Sequence, residues 1–386
     1  MNDPKPTERA GSRTDAIRLI RSWWDIQPII VPLFAILLSF IVGGVLIRLV
    51  GVNPFEAYWA LLRGMFGSPK RLAGSVARSV PFIGSALAVA YAMRAGLFNI
   101  GAEGQMLVGG VTAAWVGTWS FMYDVPSAIA LPIIVVAGVI GGALWGGVPG
   151  VLRAKTGAHE VISTIMLNSV ALFAVRWMIN SKDPRILNDP SASVPRTRNI
   201  SDTAELPELA NSNPNLHAGV FLLIALAVLV WWVLRRTTFG FATITVGTNP
   251  HAAHYAGINV NRMIIVTMTL SGAFAGLAAV SEVAGTNHSF QPGTFAALGF
   301  DGIAIALLAR AHPVGILAGA FLWGSLLAGA GLMQQEADVS VDVVRIIQAM
   351  VLLFVAADAI VRWVFRLRRA GDGLRSPVAA SGWSSS

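Results

Sequence analysis

The stretch "GLFNIGAEGQ", residues 96–105, lies between two apolar runs, and the fold turns on how it is read. It holds three glycines together with Asn99, Glu103 and Gln105. A phosphate loop of the P-loop type needs two glycines five apart, followed directly by Lys and Ser or Thr. Gly96 and Gly101 have the spacing, but Ala102 and Glu103 follow, and a carboxylate there would repel a phosphate. Two readings remain: a plain turn between membrane helices, or a broken helix. Non-helical backbone at membrane depth persists only where protein or a water-filled cavity satisfies it, and such breaks form solute sites in many transporters. A turn alone does not call for Asn99, Glu103 and Gln105 together, so the break reads as the lining of a path for a polar solute.

The surrounding composition supports a membrane setting. Of 386 residues, 55% are hydrophobic and 12% charged, with a mean hydropathy of +0.65; soluble domains carry about 25% charged residues. The absence of cysteine excludes disulfides, thiolate catalysis and cysteine-based metal sites. The net charge of +8 is no nucleic-acid footprint, because the cations sit beside apolar segments, as topology determinants do. The polar, basic start is too long for a signal peptide's n-region and lacks a small-residue cleavage site. It reads as a cytoplasmic tail, residues 1–28, leading into an uncleaved helix.

Crossing about 30 Å of hydrocarbon takes roughly 20 apolar residues as a helix. About ten segments qualify, near 29–50, 80–96, 105–122, 127–152, 160–180, 218–234, 262–283, 296–310, 313–333 and 342–364. The expected fold is an all-α integral membrane protein, with a permease domain over 29–365 and a basic, Ser-rich tail over 366–386. Both termini are expected in the cytoplasm, because Arg94, Arg153, Lys155, Arg235, Arg236, Arg262, Arg310 and the C-terminal arginines then face inward. The 181–217 loop and the acidic "QQEADVSVD" fall outside. The 51–79 loop dissents, since it would lie outside yet holds Arg63, Lys70, Arg71 and Arg78. Within it, "NPFEAYWALLRGMFGS" reads as a short amphipathic helix on the outer membrane surface. Gly138, Gly142, Gly146 and Gly150 fall four apart, as do Gly272 and Gly276, and Gly315 and Gly319, spacings that let helices pack closely.

No catalytic or metal constellation is complete. "HEVIS" starts like a zinc-protease helix, but Ser163 stands where the second histidine belongs. His251 and His254 have no third ligand nearby, and no GxSxG elbow occurs. Neither a metal nor a cofactor is expected. Polar groups inside spans cost a few kcal/mol each and tend to be functional. In "EVISTIMLNSV", Glu160, Thr164 and Asn168 share one helix face, which fits either interhelical hydrogen bonding or a polar pathway; Asp301 is a further candidate. Glu282 reads as reaching the outer interface.

The loop over 236–261 contains "GTNPHAAHYAG", residues 247–257. Asn249 suits an N-cap, Pro250 the first helical position and Gly257 the C-terminal stop. A short helix with Ala252 and Ala253 exposed would suit docking into another protein's groove. Together with Gly247 and Tyr255, these residues form a candidate coupling element.

At these residues the chain resembles the permease subunits of bacterial ATP-binding-cassette importers for nucleosides and simple sugars, a branch of the ribose and branched-chain amino-acid permease family. The matching stretches are "RAGLFNIGAEGQMLVGG", "HEVISTIMLNSVA", "TTFGFATITVGTNPHAAHYAGINV" and "GFDGIAIALLAR". The resemblance implies a multi-pass protein of the bacterial inner membrane that pairs with a second permease, two cytoplasmic ATPases and an external solute-binding protein. It makes Pro250 to Ala256 a coupling helix and leaves the chain without enzymatic chemistry of its own. A nucleoside is the implied solute, with a simple sugar as the alternative. A stand-alone secondary transporter or channel, with Glu103, Glu160 or Asp301 at an ion site, is the reading from another class.

Overall fold

With no water at membrane depth, every backbone N–H and C=O must find a partner within the protein. The computed structural model describes residues 27–183, 185–210 and 215–357. Among them no strand longer than an isolated bridge occurs. The expected tails, apart from residues 27 and 28, lie outside the described residues, as does the end of the last apolar segment.

Among the described residues seven helices are long and apolar enough to cross a membrane. They are α1 (Gln27–Leu49), α3 (Pro69–Arg94), α5 (Ser127–Thr156), α6 (Glu160–Asn180), α7 (Gly219–Arg236), α10 (Val260–Glu282) and α12 (Pro313–Ala337). Between and after them lie α2 (Pro54–Phe66), α4 (Ala102–Gly117), α8 (Thr238–Thr248), α9 (Pro250–Tyr255), α11 (Leu298–Leu308) and α13 (Val341–Ala356). Two of the ten expected spans are therefore short helices, and a third is described only in part. The 16 residues of α4 reach only about 24 Å at 1.5 Å per residue. The 11 residues of α11 reach less, and α13 has 16 described residues. Both α4 and α11 follow irregular backbone; α4 begins at buried Ala102, and α11 at half-buried Leu298 after the exposed Ala296 and Ala297.

The 51–79 region is not a loop. Asn53 caps α2, accepting from Phe55 N, and Ser68 caps α3, accepting from Arg71 N. The second span thus begins at Pro69 instead of near residue 80, which puts Lys70, Arg71 and Arg78 on its first turns. Helix α2 buries Ala57, Ala60, Leu61, Gly64 and Met65, and an added Cβ at Gly64 would lie 2.7 Å from Gly329 Cα of α12.

Helix α3 is the central post. Residues from Val80 to Ala92 along it are buried continuously. The peripheral helices show the reverse pattern: Leu33 and Val45 on α1, Leu144 on α5, Phe173 on α6 and Phe221 on α7 are all exposed. Such large apolar surfaces belong against hydrocarbon.

The expected glycine spacing becomes a seam. A Cβ on Gly142 would stand 2.3 Å from Gly272 O, one on Gly146 2.8 Å from Gly272 Cα, and one on Gly109 of α4 2.6 Å from Gly276 Cα. Helices α4, α5 and α10 therefore meet backbone to backbone, which is how helices gain packing where lipid supplies little hydrophobic drive. Gly319 behaves differently, facing the Ile305 side chain at 3.1 Å with no close backbone neighbour. Gly142→Val is expected to cost about 3 kcal/mol or more. It should be read as loss of monodisperse protein in detergent, while Gly331→Val, which meets nothing within 4 Å, leaves yield and Tm unchanged.

Candidate functional site

The stretch that opened the sequence reading is a broken helix. Helix α3 ends at Arg94, and Leu97 N donates to Ala92 O at 3.1 Å while Gly96 N donates to Met93 O at 3.1 Å. This pair of bonds closes a helix end around a left-handed residue, and Gly96 has φ +72°. Residues 97–100 then run without helical structure before α4 begins at Ala102. Leu97, Asn99 and Gly101 are nonetheless buried, so the break lies inside the protein and its polar groups need partners there.

The polar side chains supply those partners. Asn99 Oδ1 accepts from Gly101 N at 2.8 Å. Its Nδ2 donates to Gln105 Oε1 at 2.9 Å and to Ser271 Oγ at 2.7 Å, and Gln105 Nε2 donates back to Asn99 Oδ1 at 3.2 Å. Ser271, on α10, donates in turn to Ala88 O of α3 at 2.6 Å. From α6, Asn168 spans the break: its Oδ1 accepts from Gly104 N and its Nδ2 donates to Ile100 O, each at 2.9 Å. Gly104 N is one of the first-turn donors that a helix leaves unpaired. Thr164 packs its Cβ 3.0 Å from where a Cβ on Gly101 would be, while its hydroxyl bonds Glu160 O of its own helix.

Glu103 does the same service for a second helix. Its carboxylate oxygens accept from Ala297 N at 2.9 Å and Gly299 N at 2.8 Å, the amides that open α11. Ala297 is held at φ +70°, a conformation that a non-glycine residue adopts only under constraint. Negative charge at a helix N-terminus is favourable, and here it joins the two short helices. Asp301, further along α11, is within electrostatic reach of Glu103 and beside Trp323 and Arg345.

Asn99, Glu103, Gln105, Thr164 and Asn168 are thus brought together around the break, with Asp301 next to them. Glu160 is not part of this group. It is buried at the first position of α6, 3.4 Å from Arg153 Nε; that contact is an ion pair without hydrogen-bond geometry, since Glu160 Oε2 has no hydrogen-bond partner.

A cavity of about 620 Å³ lies elsewhere, lined by Lys70, Arg71, Arg78, Glu282, Thr286 and Thr294 among others. The sequence reading did not group these residues, because they come from α3, the end of α10 and the segment before α11. The available signal was the spacing of Arg71 and Arg78, seven apart, which puts both on one face of a helix.

The short capped helix of the candidate coupling element is present at Pro250–Tyr255, and one of its residues lies differently from expectation. Asn249 Oδ1 accepts from Ala252 N at 3.0 Å. Ile258 N donates to Ala253 O and Gly257 N to His254 O, both at 2.9 Å, around Gly257 at φ +78°. Ala253, expected on the outer face, is fully buried against Val246 and Met263. The helix needs one apolar contact to hold it to α8 and α10, and Ala253 makes it. The outward face is His251, Ala252, His254 and Tyr255, with Tyr255 90% exposed. Gly247 points the other way, its hypothetical Cβ 2.3 Å from Arg94 O, so α8 rests on the turn that starts the break. Among the described residues no group of His, Asp or Glu is arranged to hold a metal ion.

Comparison with known proteins agrees with this architecture. A guanosine ABC transporter permease protein of Bacillus subtilis, NupP, is 39% identical over 349 residues, 89% of this chain and 97% of that protein. A nucleoside ABC transporter permease protein of Lactococcus lactis, NupB, is 35% identical over 87% of this chain and 92% of that one. A glucose ABC transporter permease protein of Haloferax volcanii is 32% identical over 84% and 86%. No solved structure matches. With its membrane-crossing helices, the chain is a multi-pass plasma-membrane protein. Residues 72–356 match the model of the branched-chain amino acid transport system permease component, and the chain belongs to that family.

Proposed function

We propose that this chain is the permease subunit of an ATP-binding-cassette importer and that its solute is a nucleoside. The observation that carries this reading is 39% identity, along nearly the whole of both chains, to a permease named for guanosine. The glucose permease at 32% identity makes a simple sugar the second reading. The chain does no chemistry itself. Hydrolysis belongs to two cytoplasmic ATPase subunits, a second related permease completes the pathway, and an external binding protein delivers the solute. Both termini lie inside and the 181–217 loop outside. What supports this orientation is that Arg94 donates to the carbonyls of Arg310 and Ala311 and feels Arg235, so these cations gather at one end.

In this scheme α9 docks on an ATPase through Ala252, His254 and Tyr255. Movement of α9 passes to α8 through Ala253, from α8 to the Gly96 turn through Gly247, and from the break to α11 through Glu103. A chain of packed elements of this kind is what lets a loop event bias a pathway between two states. Asn99, Gln105, Thr164 and Asn168 hold the break as one wall of the path, Asp301 stands on the neighbouring helix, and Glu160 secures the cytoplasmic end of α6.

Deletion of the gene is expected to abolish uptake of labelled guanosine or uridine at micromolar concentration, and plasmid copies to restore it; unchanged uptake would sink the nucleoside reading. Ala252→Glu and Tyr255→Ala should leave the permease in the membrane but uncouple it, measured as loss of transport and of solute-stimulated ATP hydrolysis in proteoliposomes. Glu103→Gln replaces one acceptor by a donor facing an amide, so about 1–3 kcal/mol of stability should be lost. Lower Tm together with reduced uptake is the expected outcome. Because the chain has no cysteine, Asp202→Cys should react with an impermeant thiol reagent in intact cells, while Thr156→Cys reacts only after permeabilisation; the reverse would invert the topology.

A further inference from the structure

On the proposed orientation α3 enters from the outer face, and Lys70, Arg71 and Arg78 stand where the charge rule expects few cations. The fourth cation of that stretch, Arg63, is neutralised by Glu336. The other three all line the cavity of about 620 Å³ enclosed by α2, α3, α12 and the end of α10. Small-molecule sites typically span about 300–1,000 Å³, with a few convergent polar groups.

The opposite wall is built to present a carboxylate. Helix α10 ends at Glu282 and continues as a π turn over Val283–Asn287. Such turns are rare and recur at functional sites, where the extra residue re-aims side chains. Here the wide turn sets both Glu282 and Thr286 on the cavity wall. Asn287 Nδ2 donates to Glu282 Oε2 at 3.1 Å, which fixes the carboxylate's orientation. Arg78 acts on the Glu282 charge, yet none of the ion pairs among the described residues joins the two. Cation and carboxylate thus face one cavity without closing it.

We infer that this cavity is a solute-binding station at the outer mouth of the permease, selective for a neutral ribonucleoside; the inference rests on the nucleoside reading above. A carboxylate accepts hydrogen bonds only, and its two oxygens match the two hydroxyls of a ribose diol. Guanidinium groups donate only, and Arg71 and Arg78 match the carbonyl and ring-nitrogen acceptors of a base. Thr286 and Thr294 hydroxyls serve as either. A phosphate would suit the three cations but be repelled by Glu282, and competition between uridine and its monophosphate separates the two ligands. The position of three cations on α3 then follows from ligand chemistry, not from topology.

The test is uptake by cells in which this importer, with its partners, is the sole nucleoside route. Affinity is dominated by the external binding protein, so the permease site is read in the maximal rate. Glu282→Gln should lower the maximal uridine rate about tenfold or more, the loss of one charge-assisted hydrogen bond, at unchanged membrane abundance. Glu282→Asp should recover part of it. The wild type should carry uridine faster than 2′,3′-dideoxyuridine, and Glu282→Gln should remove that preference, which a merely structural role would not do. Arg78→Gln and Thr286→Val should each reduce the rate without loss of protein. Glu282→Gln with wild-type rate and wild-type diol preference would overturn the inference, as would uridine monophosphate competing better than uridine. Absence of any nucleoside uptake by the wild type would remove this site together with the reading it rests on, and is distinguishable because it precedes any mutation.

Discussion

Of the seven residues of irregular backbone between Arg94 and Ala102, Ala95, Leu97, Asn99 and Gly101 are buried within a bundle that offers no water to pair with them. Each exposed amide or carbonyl there costs on the order of 1–3 kcal/mol unless it is bonded. Asn99, from the break itself, and Asn168, from α6, bond it, while Gln105 and Ser271 hold the Asn99 side chain in place. Much of the architecture follows from this requirement. Asn168 must sit against Gly104, which fixes α6 on α4, and Ser271 must reach both Asn99 and Ala88, which fixes the rotation of α10 about its axis.

That rotation is also what the glycine seam demands. Ser271 adjoins Gly272, whose Cα lies under Gly146, so one face of α10 meets α5 by close approach while its neighbour meets the break by hydrogen bonds. Neither contact tolerates sliding. A seam without the polar bonds would permit translation along the helix axis, and polar bonds without the seam would hold helices too far apart to exclude lipid. The two devices are complementary, and both are local to residues 268–276.

Parts of this were legible in the sequence. The break announced itself because Gly96, Gly101 and Gly104 abandon helix propensity among polar residues that a lipid-facing turn does not require. The seam was legible because a spacing of four defines a helix face without knowledge of its partner. The cap of α9 was legible for the same reason, since Asn249, Pro250 and Gly257 act within a single turn of chain. What was hidden depends on distant partners. Six residues of helix cannot reveal which of Ala252 and Ala253 faces inward, because that is decided by Val246 and Met263. The start of α3 was missed because Lys70, Arg71 and Arg78 lower the hydropathy of its first turns, and the cavity that accommodates them is assembled from four separated segments. The π turn after Glu282 has no residue signature at all.

The two short helices place a junction inside an otherwise close-packed bundle. A helix that spans the whole bilayer can only tilt or slide as a rod, whereas the short α4 and α11 are joined at their N-termini by Glu103. Their entry points are therefore set by a pair of charge-assisted bonds, which are strong yet few. The strained Ala297 beside that junction stores a conformational cost of about 1–3 kcal/mol. That junction is held by two bonds against local strain, whereas the seam between α4, α5 and α10 is held by backbone contact along several turns, so the two short helices meet at the least redundantly fixed point of the bundle.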